Sequence, residues 1–253
     1  MESGPTISLS AEPLFHWGSL PITNTLVLSL LISIVLMIFA ISFYPFIKRI
    51  PGKIQNVVEM IFSGVIDFME SITQDRAQAY AFFPVVFTIF LFVILANWIE
   101  LVPGLGSVGI WAEHNGETEL IPFVRSASAD MNVTLSIAIV AMSAVQLYGI
   151  LSLGFSEYAG KFFVSPFKKP YFIGTFVGLL EVVSEFAKVI SFSFRLFGNI
   201  FAGEVLLLVV GYLVPYIIPL PFLFMEIFVG FVQALVFSML TLVFLKNAAT
   251  AHH

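Results

Sequence analysis

Long runs of uncharged residues dominate the hydrophobic pattern of this chain and predict membrane-spanning helices. A bilayer core about 30 Å thick needs about 20 consecutive apolar residues in a helix. An outer-membrane β-barrel would instead show alternating segments of about ten residues. Four runs of 19 to 23 residues contain no Asp, Glu, Lys or Arg: 25–43, 79–99, 131–153 and 227–245. We therefore expect an all-α membrane protein with about five embedded helices, forming a single domain over residues 1–253.

A fifth hydrophobic segment, 173–213, is longer than one crossing requires. It has 41 residues and no proline, so a continuous helix would be about 60 Å long, twice the hydrocarbon thickness. It either breaks near Gly198 or Gly203 or lies steeply tilted in the membrane. The basic loops before it and after the last helix are expected on the same side, which favours one tilted crossing. The last helix, about 222–246, would then fold back on it as a hairpin.

Basic residues in the loops predict the orientation, because cytoplasmic loops are enriched in Lys and Arg. Between the second and third spans, Arg125 is the single basic residue, among Glu113, Glu117 and Glu119. Eight basic residues fall on the other side: Lys48, Arg49, Lys53, Arg76, Lys161, Lys168, Lys169 and Lys246. We expect the N-terminus outside and the C-terminus inside.

Residues 53–72 show an amphipathic pattern, in which Glu59, Asp67 and Glu70 alternate with apolar residues at helical spacing. Such a helix is typical of a membrane surface. It would lie at the inner surface, against a partner, or against the protein's own loops.

Polar side chains recur along the fifth segment at intervals of three and four residues, which places them on one helix face. A polar stripe of this kind must face water or another protein. Glu204 lies nine residues beyond Arg195, half a turn around the helix, so the two are expected to face different sides. The members of the stripe are Glu181, Ser184, Glu185, Lys188, Ser191, Ser193, Arg195 and Asn199.

The last helix carries a thinner polar face, made of Glu226, Gly230 and Gln233 at i, i+4 and i+7. In a hairpin that turns near residue 217, Glu204 lies within about a turn of Glu226 and Gln233. Two carboxylates and an amide would then share one cavity, where a proton can be exchanged near neutral pH.

The composition agrees with membrane embedding and excludes several classes of function. Hydrophobic residues make up 59% of 253 and charged residues 11%, against about 45–50% and about 25% in soluble domains. A net charge of −5 gives no basic surface for nucleic acid. Without cysteine there is no thiolate metal site or cysteine nucleophile. No P-loop, HExxH or GxSxG motif is present, so we expect a non-catalytic protein without metal or cofactor.

The residues before the first span show no targeting signal. They contain Glu2 and Glu12 but neither Lys nor Arg, so a basic n-region and an Arg-rich transit segment are both missing. We expect a bacterial inner membrane, with an organelle-encoded copy as the alternative.

Each polar residue in these segments also has a structural interpretation. An arginine at mid-bilayer costs about 2.5–3.5 kcal/mol to insert and cannot deprotonate. Arg195 lies far from both ends of its segment, which favours a function over snorkelling. Glu204, Glu226 and Gln233 are interpreted as functional, with hydrogen-bonded links between helices as the alternative. For Asn199 the two interpretations are evenly balanced.

Two further groups stay open between function and structure. Lys188 and Glu185 are spaced as a simple i, i+3 ion pair. Asp130 and Asn132 open the third span, either as a helix cap or as an aqueous entrance. For the whole chain, one alternative is a channel or secondary transporter, although the inverted repeats typical of transporters are missing. The other is a structural anchor, which leaves the polar stripe unexplained.

Several motifs resemble subunit a of the F-type ATP synthases. The most specific is SFSFRLFGNIFAGE at 191–204, which resembles the family signature that carries an essential arginine, here Arg195. Further matches are PLFHWGSLPITNT at 13–25, LANWIELVPG at 95–104, SADMNVTLS at 128–136, LLEVVSEFAKVISFSF at 179–194 and FVQALVFSMLTLVFL at 231–245. The resemblance therefore runs along nearly the whole chain.

This resemblance implies a membrane subunit that couples proton flow to ATP synthesis beside a rotating ring of subunit c. Its other partners would be the subunit b peripheral stalk, the rest of the complex and the lipid bilayer, and the transported ion H⁺ in preference to Na⁺. Two aqueous half-channels would open to opposite sides of the membrane. Arg195 would separate them and enforce deprotonation of the ring carboxylates.

The resemblance also implies places for the other polar residues. Glu204, Glu226 and Gln233 would line the outer half-channel, with Asp130 and Asn132 at its mouth. The inner exit would be lined by Glu181, Glu185 and Ser191, and Asn199 would fix the guanidinium or the ring contact. Many family members pair a glutamate with a histidine across the positions of Glu204 and Glu226. Here both are Glu, which leaves open which of them is the obligatory proton carrier.

Overall fold

The computed structural model describes residues 11–17, 20–48, 51–105, 108–114, 117–162, 173–214 and 216–250. Within them, five helices are long and apolar enough to cross a membrane. They are α1 (Asn24–Phe43), α3 (Arg76–Trp98), α4 (Met131–Leu153), α6 (Ile173–Leu213) and α7 (Pro219–Ala249). The predicted all-α membrane fold is confirmed.

Helix α6 is continuous over its 41 residues, and neither Gly198 nor Gly203 interrupts it. No residue of the segment forces a break in the backbone hydrogen bonds, because it contains no proline and a glycine alone costs only about 1 kcal/mol in a helix. Helix α7 packs back against α6, which confirms the hairpin. It begins at Pro219 and ends at Ala249, several residues beyond the predicted 222–246 at the start and the end. The tilt of α6 in a bilayer stays a prediction.

The amphipathic segment forms helix α2 (Lys53–Thr73). Ile66 and Met69 are buried in the core that α2 shares with α3 and α7, whereas Ile54 and Met60 remain exposed. One face of α2 therefore packs against the protein itself, which was one of the three predicted locations. The contact is with helices α3 and α7, whereas the prediction had named loops.

Three elements were not predicted. Two antiparallel hairpins, β1 (Pro13–Trp17) with β2 (Leu20–Thr23) and β3 (Gly109–His114) with β4 (Glu117–Pro122), precede α1 and α4. A short helix, α5 (Phe155–Gly160), follows α4. All three are too short to produce a clear period in the sequence. The hairpins mark one end of the helix bundle, called the hairpin end below, where α1, α4 and α7 begin and α3 and α6 end.

The core lies where α3, α4, α6 and α7 meet. Buried side chains from all four helices, including Val93, Ala141, Leu196 and Leu242, form one cluster. The ring of Phe192 on α6 packs edge-on against Phe237 on α7, with centroids 4.8 Å apart. This packing leaves the opposite face of α6 uncovered by the described residues.

At the hairpin end, α1 is tied to α4 by a buried polar contact. Thr25 Oγ1 donates to Asp130 Oδ2 over 2.7 Å, and both residues are buried. The other oxygen of Asp130 accepts the N–H of Asn132 at 2.8 Å, as the N-cap of α4. The structural interpretation of Asp130 as a helix cap is therefore correct, and it fixes where α4 begins.

Replacing Thr25 with valine should destabilise the fold of this chain. Valine keeps the shape of threonine but removes the donor to the buried Asp130 carboxylate, a loss of about 1–3 kcal/mol. We expect a lower midpoint of thermal aggregation for the protein purified in detergent. Ser29→Ala is the matched control, because the Ser29 hydroxyl donates to Leu26 O within α1. Equal midpoints for Thr25→Val and the parent would contradict the role of this contact.

Candidate functional site

Arg195 lies on the uncovered face of α6. It is exposed, while its neighbours Leu196 and Phe192 are buried in the helix interface. Its guanidinium carbon is 5.8 Å from the centroid of the Phe192 ring. Within the described residues, no carboxylate comes within ion-pair distance of this guanidinium. Asn199, one turn further along α6, is exposed as well. A permanent cation and an amide therefore share an apolar face that the described residues leave open.

Glu204 points to a different side of α6, where it meets Arg125. The arginine Nε donates to Glu204 Oε1 at 2.9 Å and its Nη2 donates to Oε2 at 3.2 Å. The Arg125 side chain is 8% exposed and that of Glu204 is 22% exposed. This is a two-point, largely buried ion pair between the segment that precedes α4 and the last third of α6.

Glu226 on α7 is 5% exposed and lies directly against Gly203 of α6. A Cβ atom at residue 203 would overlap both oxygens of the Glu226 carboxylate. The Glu226 carboxylate can therefore occupy this position only because residue 203 has no side chain. Glu226 and Glu204 come close enough to interact electrostatically.

Glu100 follows α3 and joins the same group. Its Oε2 accepts the backbone N–H of Ser126 at 3.1 Å. Burial raises the pKa of Glu100 to about 8; the charge of Glu204 raises it further and the charge of Arg125 opposes this. Glu100, Arg125, Glu204 and Glu226 thus form one group at the hairpin end, called the outer cluster below.

Two members of the outer cluster, Glu100 and Arg125, were missed as site residues. Both carried a usable signal in the sequence. Arg125 is the single basic residue in an acidic loop, and Glu100 lies inside the LANWIELVPG motif. Only the fold shows that they meet Glu204, which is 79 residues from Arg125.

Gln233 lies two turns beyond Glu226 on α7 and is half-buried. Between them α3 is joined to α7, because Asn97 Nδ2 donates to Gly230 O at 3.2 Å and Trp98 Nε1 donates to Ile227 O at 3.0 Å. The Asn97 Oδ1 atom is buried and finds no hydrogen-bond partner among the described residues. Buried polar atoms are usually satisfied by protein or water, so this region has an unused acceptor beside α7.

Asp130 and Asn132 also line a cavity of about 580 Å³ between α1, α3 and α4. Hydroxyl groups continue down its walls: Thr23, Ser29, Ser33, Thr88 and Ser136. The cap and the aqueous entrance are therefore compatible interpretations of Asp130, since one oxygen caps α4 while the residue borders an open, partly polar cavity.

At the other end of the bundle, Glu185 is held by two donors. Lys188 Nζ donates to its Oε1 at 2.6 Å and Gln146 Nε2 to its Oε2 at 2.9 Å. The hydroxyl of Tyr158 donates in turn to Gln146 Oε1. Burial, then the charges of Glu185 and Glu181, raise the pKa of Tyr158 to about 12. The alternative interpretation of Glu185 and Lys188 as an i, i+3 ion pair is correct.

The remaining two candidates for the inner exit, Glu181 and Ser191, are not held by an ion pair among the described residues. Glu181, one turn before Glu185, is half-buried, and Ser191 is exposed on the same side of α6 as Arg195. The polar stripe therefore divides into a paired section at residues 185 and 188 and an open section formed by Ser191, Arg195 and Asn199. Ser193 was wrongly placed in the stripe, because it is buried and its hydroxyl shares a 3.1 Å hydrogen bond with that of Thr134 on α4.

Comparison with known proteins agrees with the motifs. The family model for the ATP synthase A chain matches residues 25–246. ATP synthase subunit a of Aliivibrio fischeri is 37% identical over 204 residues, which cover 79% of this chain and 73% of that protein. The subunit a of Vibrio alginolyticus is 37% identical over 221 residues, covering 84% and 79%. That of Moorella thermoacetica is 28% identical over 240 residues, covering 94% and 96%. The chain therefore belongs to the ATP synthase A chain family, the subunit a proteins of the ATP synthases.

Proposed function

We propose that this chain is the proton-translocating stator subunit of an F-type ATP synthase and that Arg195 separates its two aqueous half-channels. The observation that carries this function is the isolation of Arg195. The guanidinium lies on an open face of α6 without a carboxylate partner in the described part of the chain. An unpaired cation in a membrane is costly unless a partner supplies the acid.

A ring of subunit c would supply that acid, with one carboxylate for each ring subunit. The uncovered face of α6 offers a wide apolar contact for such a ring, including Val183, Phe186, Ile190 and Phe194. The fixed charge of Arg195 favours the ionised ring carboxylate. It also repels protons, which prevents them from crossing directly between the half-channels. Asn199 would contact the ring or fix the guanidinium.

The outer half-channel would enter from the hairpin end. Glu204, Glu226 and Gln233 would line it, with Asp130 and Asn132 at its mouth. The outer cluster, the unused buried acceptor of Asn97 and the hydroxyl-lined cavity support a hydrated path on this side. The inner exit would pass Glu181 and Ser191, with Glu185 held beside it by Lys188 and Gln146.

The proposed function implies a location, an orientation and a set of partners for the chain. It would lie in a bacterial inner membrane with the hairpin end outside and the C-terminus inside, as the basic loops predict. It would assemble with the c-ring, the subunit b stalk and the rest of the complex, and would carry H⁺ rather than Na⁺. The chain would not catalyse a reaction itself.

A cross-linking experiment tests the proposed ring contact. The chain contains no cysteine, so Asn199→Cys gives this subunit one thiol, which a maleimide carrying a photoreactive group can label. We expect illumination of assembled membranes to join this chain to subunit c, identified by mass spectrometry.

The matched control is Ile38→Cys, which is exposed on α1 instead of α6. We expect its adducts to contain lipid or other chains, but no subunit c. Equal amounts of the subunit c adduct from both positions, or none from residue 199, would contradict the proposed interface.

A further inference from the structure

The charges of the outer cluster do not balance, and this assigns different roles to its acids. Among the described residues, three carboxylates, from Glu100, Glu204 and Glu226, share this cluster with one arginine, Arg125, which pairs with Glu204 and also acts on Glu100. Glu204 lies on α6, Glu226 on α7 and Glu100 two residues after the end of α3. Arg125 lies in the segment before α4. One arginine can neutralise one of the three carboxylates fully.

The geometry shows which of the three carboxylates forms the ion pair with Arg125. Both oxygens of Glu204 accept from Arg125, at 2.9 and 3.2 Å. Two-point contacts between arginine and a carboxylate are the strongest and most directional of the charge-assisted hydrogen bonds, and they require the ionised carboxylate. To take up a proton, Glu204 would have to give up one of these bonds inside a largely buried site.

The other two acids are placed differently. Glu226 is buried against Gly203, and no lysine or arginine of the described residues forms an ion pair with it. Glu100 accepts one backbone N–H from Ser126, and burial raises its pKa to about 8. Arg125 does not form a two-point contact with either of these carboxylates, as it does with Glu204.

We propose that Arg125 is a positioning residue that holds Glu204 as a fixed counter-ion, so that protons pass through the outer cluster on Glu226 and Glu100. This role depends on the proton translocation proposed above. Glu204 then shapes the electrostatic field of the path without carrying the proton itself. The pair also joins the segment before α4 to α6, which keeps Glu100 near Glu226.

The proposal is tested by exchanging the charged pair for a neutral one. The variants are Arg125→Gln, Glu204→Gln and the double variant with both substitutions. Each single change leaves one buried charge without its partner, and we expect proton-driven ATP synthesis to fall about tenfold or more. The double variant keeps two amides that can bond to each other, and should recover at least about tenfold over Glu204→Gln. Glu226→Gln should lose synthesis in every background.

The dependence on pH separates this role from a purely structural one. The groups that act on Glu100 are Glu204 on α6, Glu226 on α7 and Arg125 before α4. Removing the Glu204 charge lowers the pKa of Glu100, so Glu204→Gln should work best at a lower pH on the proton-entry side. Removing Arg125 raises that pKa, so Arg125→Gln should shift its optimum upward. The double variant should lie near the parent.

The measurement is ATP synthesis by inverted vesicles whose internal pH is set before energisation, with subunit assembly quantified in the same membranes. Synthesis by the parent vesicles establishes proton translocation independently. If the parent is active but the double variant is as inactive as Glu204→Gln, Glu204 carries protons itself and the proposal is overturned. If the double variant does not assemble, or the single variants show no opposite pH shifts, the counter-ion role is overturned too.

Discussion

Arg195→Ala is expected to abolish ATP-driven proton pumping. Without the guanidinium, the ring carboxylate has no fixed cation that favours its ionised form, so it remains protonated and the ring turns without releasing protons. The residue lies on the exposed face of α6 and not in the core, so the chain should still fold and assemble. The measurement is the ATP-dependent acidification of inverted membrane vesicles, followed by the quenching of a fluorescent amine.

A second measurement tests the proposal that Arg195 forms a barrier between two half-channels. In vesicles stripped of the soluble catalytic sector, Arg195→Ala should conduct protons passively at least as well as the parent, because a repelling charge has been removed. Arg195→Lys should also fail to restore pumping fully, since a lysine can lose its proton in an apolar site and an arginine cannot.

The matched control for Arg195 is Arg76→Ala. Arg76 is an exposed arginine at the start of α3 that pairs with Asp67 and Glu70 of α2. Exposed ion pairs of this kind add little to stability because water and salt screen them, so pumping should stay at the level of the parent. Acidification by Arg195→Ala at the rate of the parent would contradict the proposed function, whatever the control shows.

The sequence predicted the parts of this molecule that depend on local pattern. The uninterrupted α6 followed from the absence of proline and from the expectation that the basic loops before it and after the last helix lie on the same side of the membrane. The span 131–153 was predicted with the bounds that α4 has. The separate directions of Arg195 and Glu204 followed from nine residues at 3.6 residues per turn.

The parts that could not be predicted depend on contacts across the chain. Arg125 meets Glu204 over 79 residues, and Gln146 meets Glu185 over 39. No periodicity contains that information, since it arises from how α4 and the segment before it pack against α6. The approach of Glu226 to Glu204 was expected from the hairpin, whereas Arg125 and Glu100 join them from segments outside the hairpin.

Gly203→Ala is expected to reduce proton pumping about a hundredfold, the scale of loss that a 1 Å misplacement of a functional group can cause. The added methyl group would occupy the place of the Glu226 carboxylate. Glu226 is 5% exposed, so either its carboxylate must move to another position or the α6–α7 contact must shift. A shift of that size would separate Glu226 from the other members of the outer cluster.

The matched control is Gly211→Ala, two turns further along the same helix, where a Cβ atom meets nothing within 4 Å. Both substitutions improve helix propensity by about 1 kcal/mol, so a loss confined to residue 203 cannot be caused by the backbone. Shortening the acid in the double variant Gly203→Ala with Glu226→Asp makes room for the methyl group and should restore part of the pumping. If Gly203→Ala and Gly211→Ala acidify vesicles equally, the position of the Glu226 carboxylate against α6 does not matter for proton transfer.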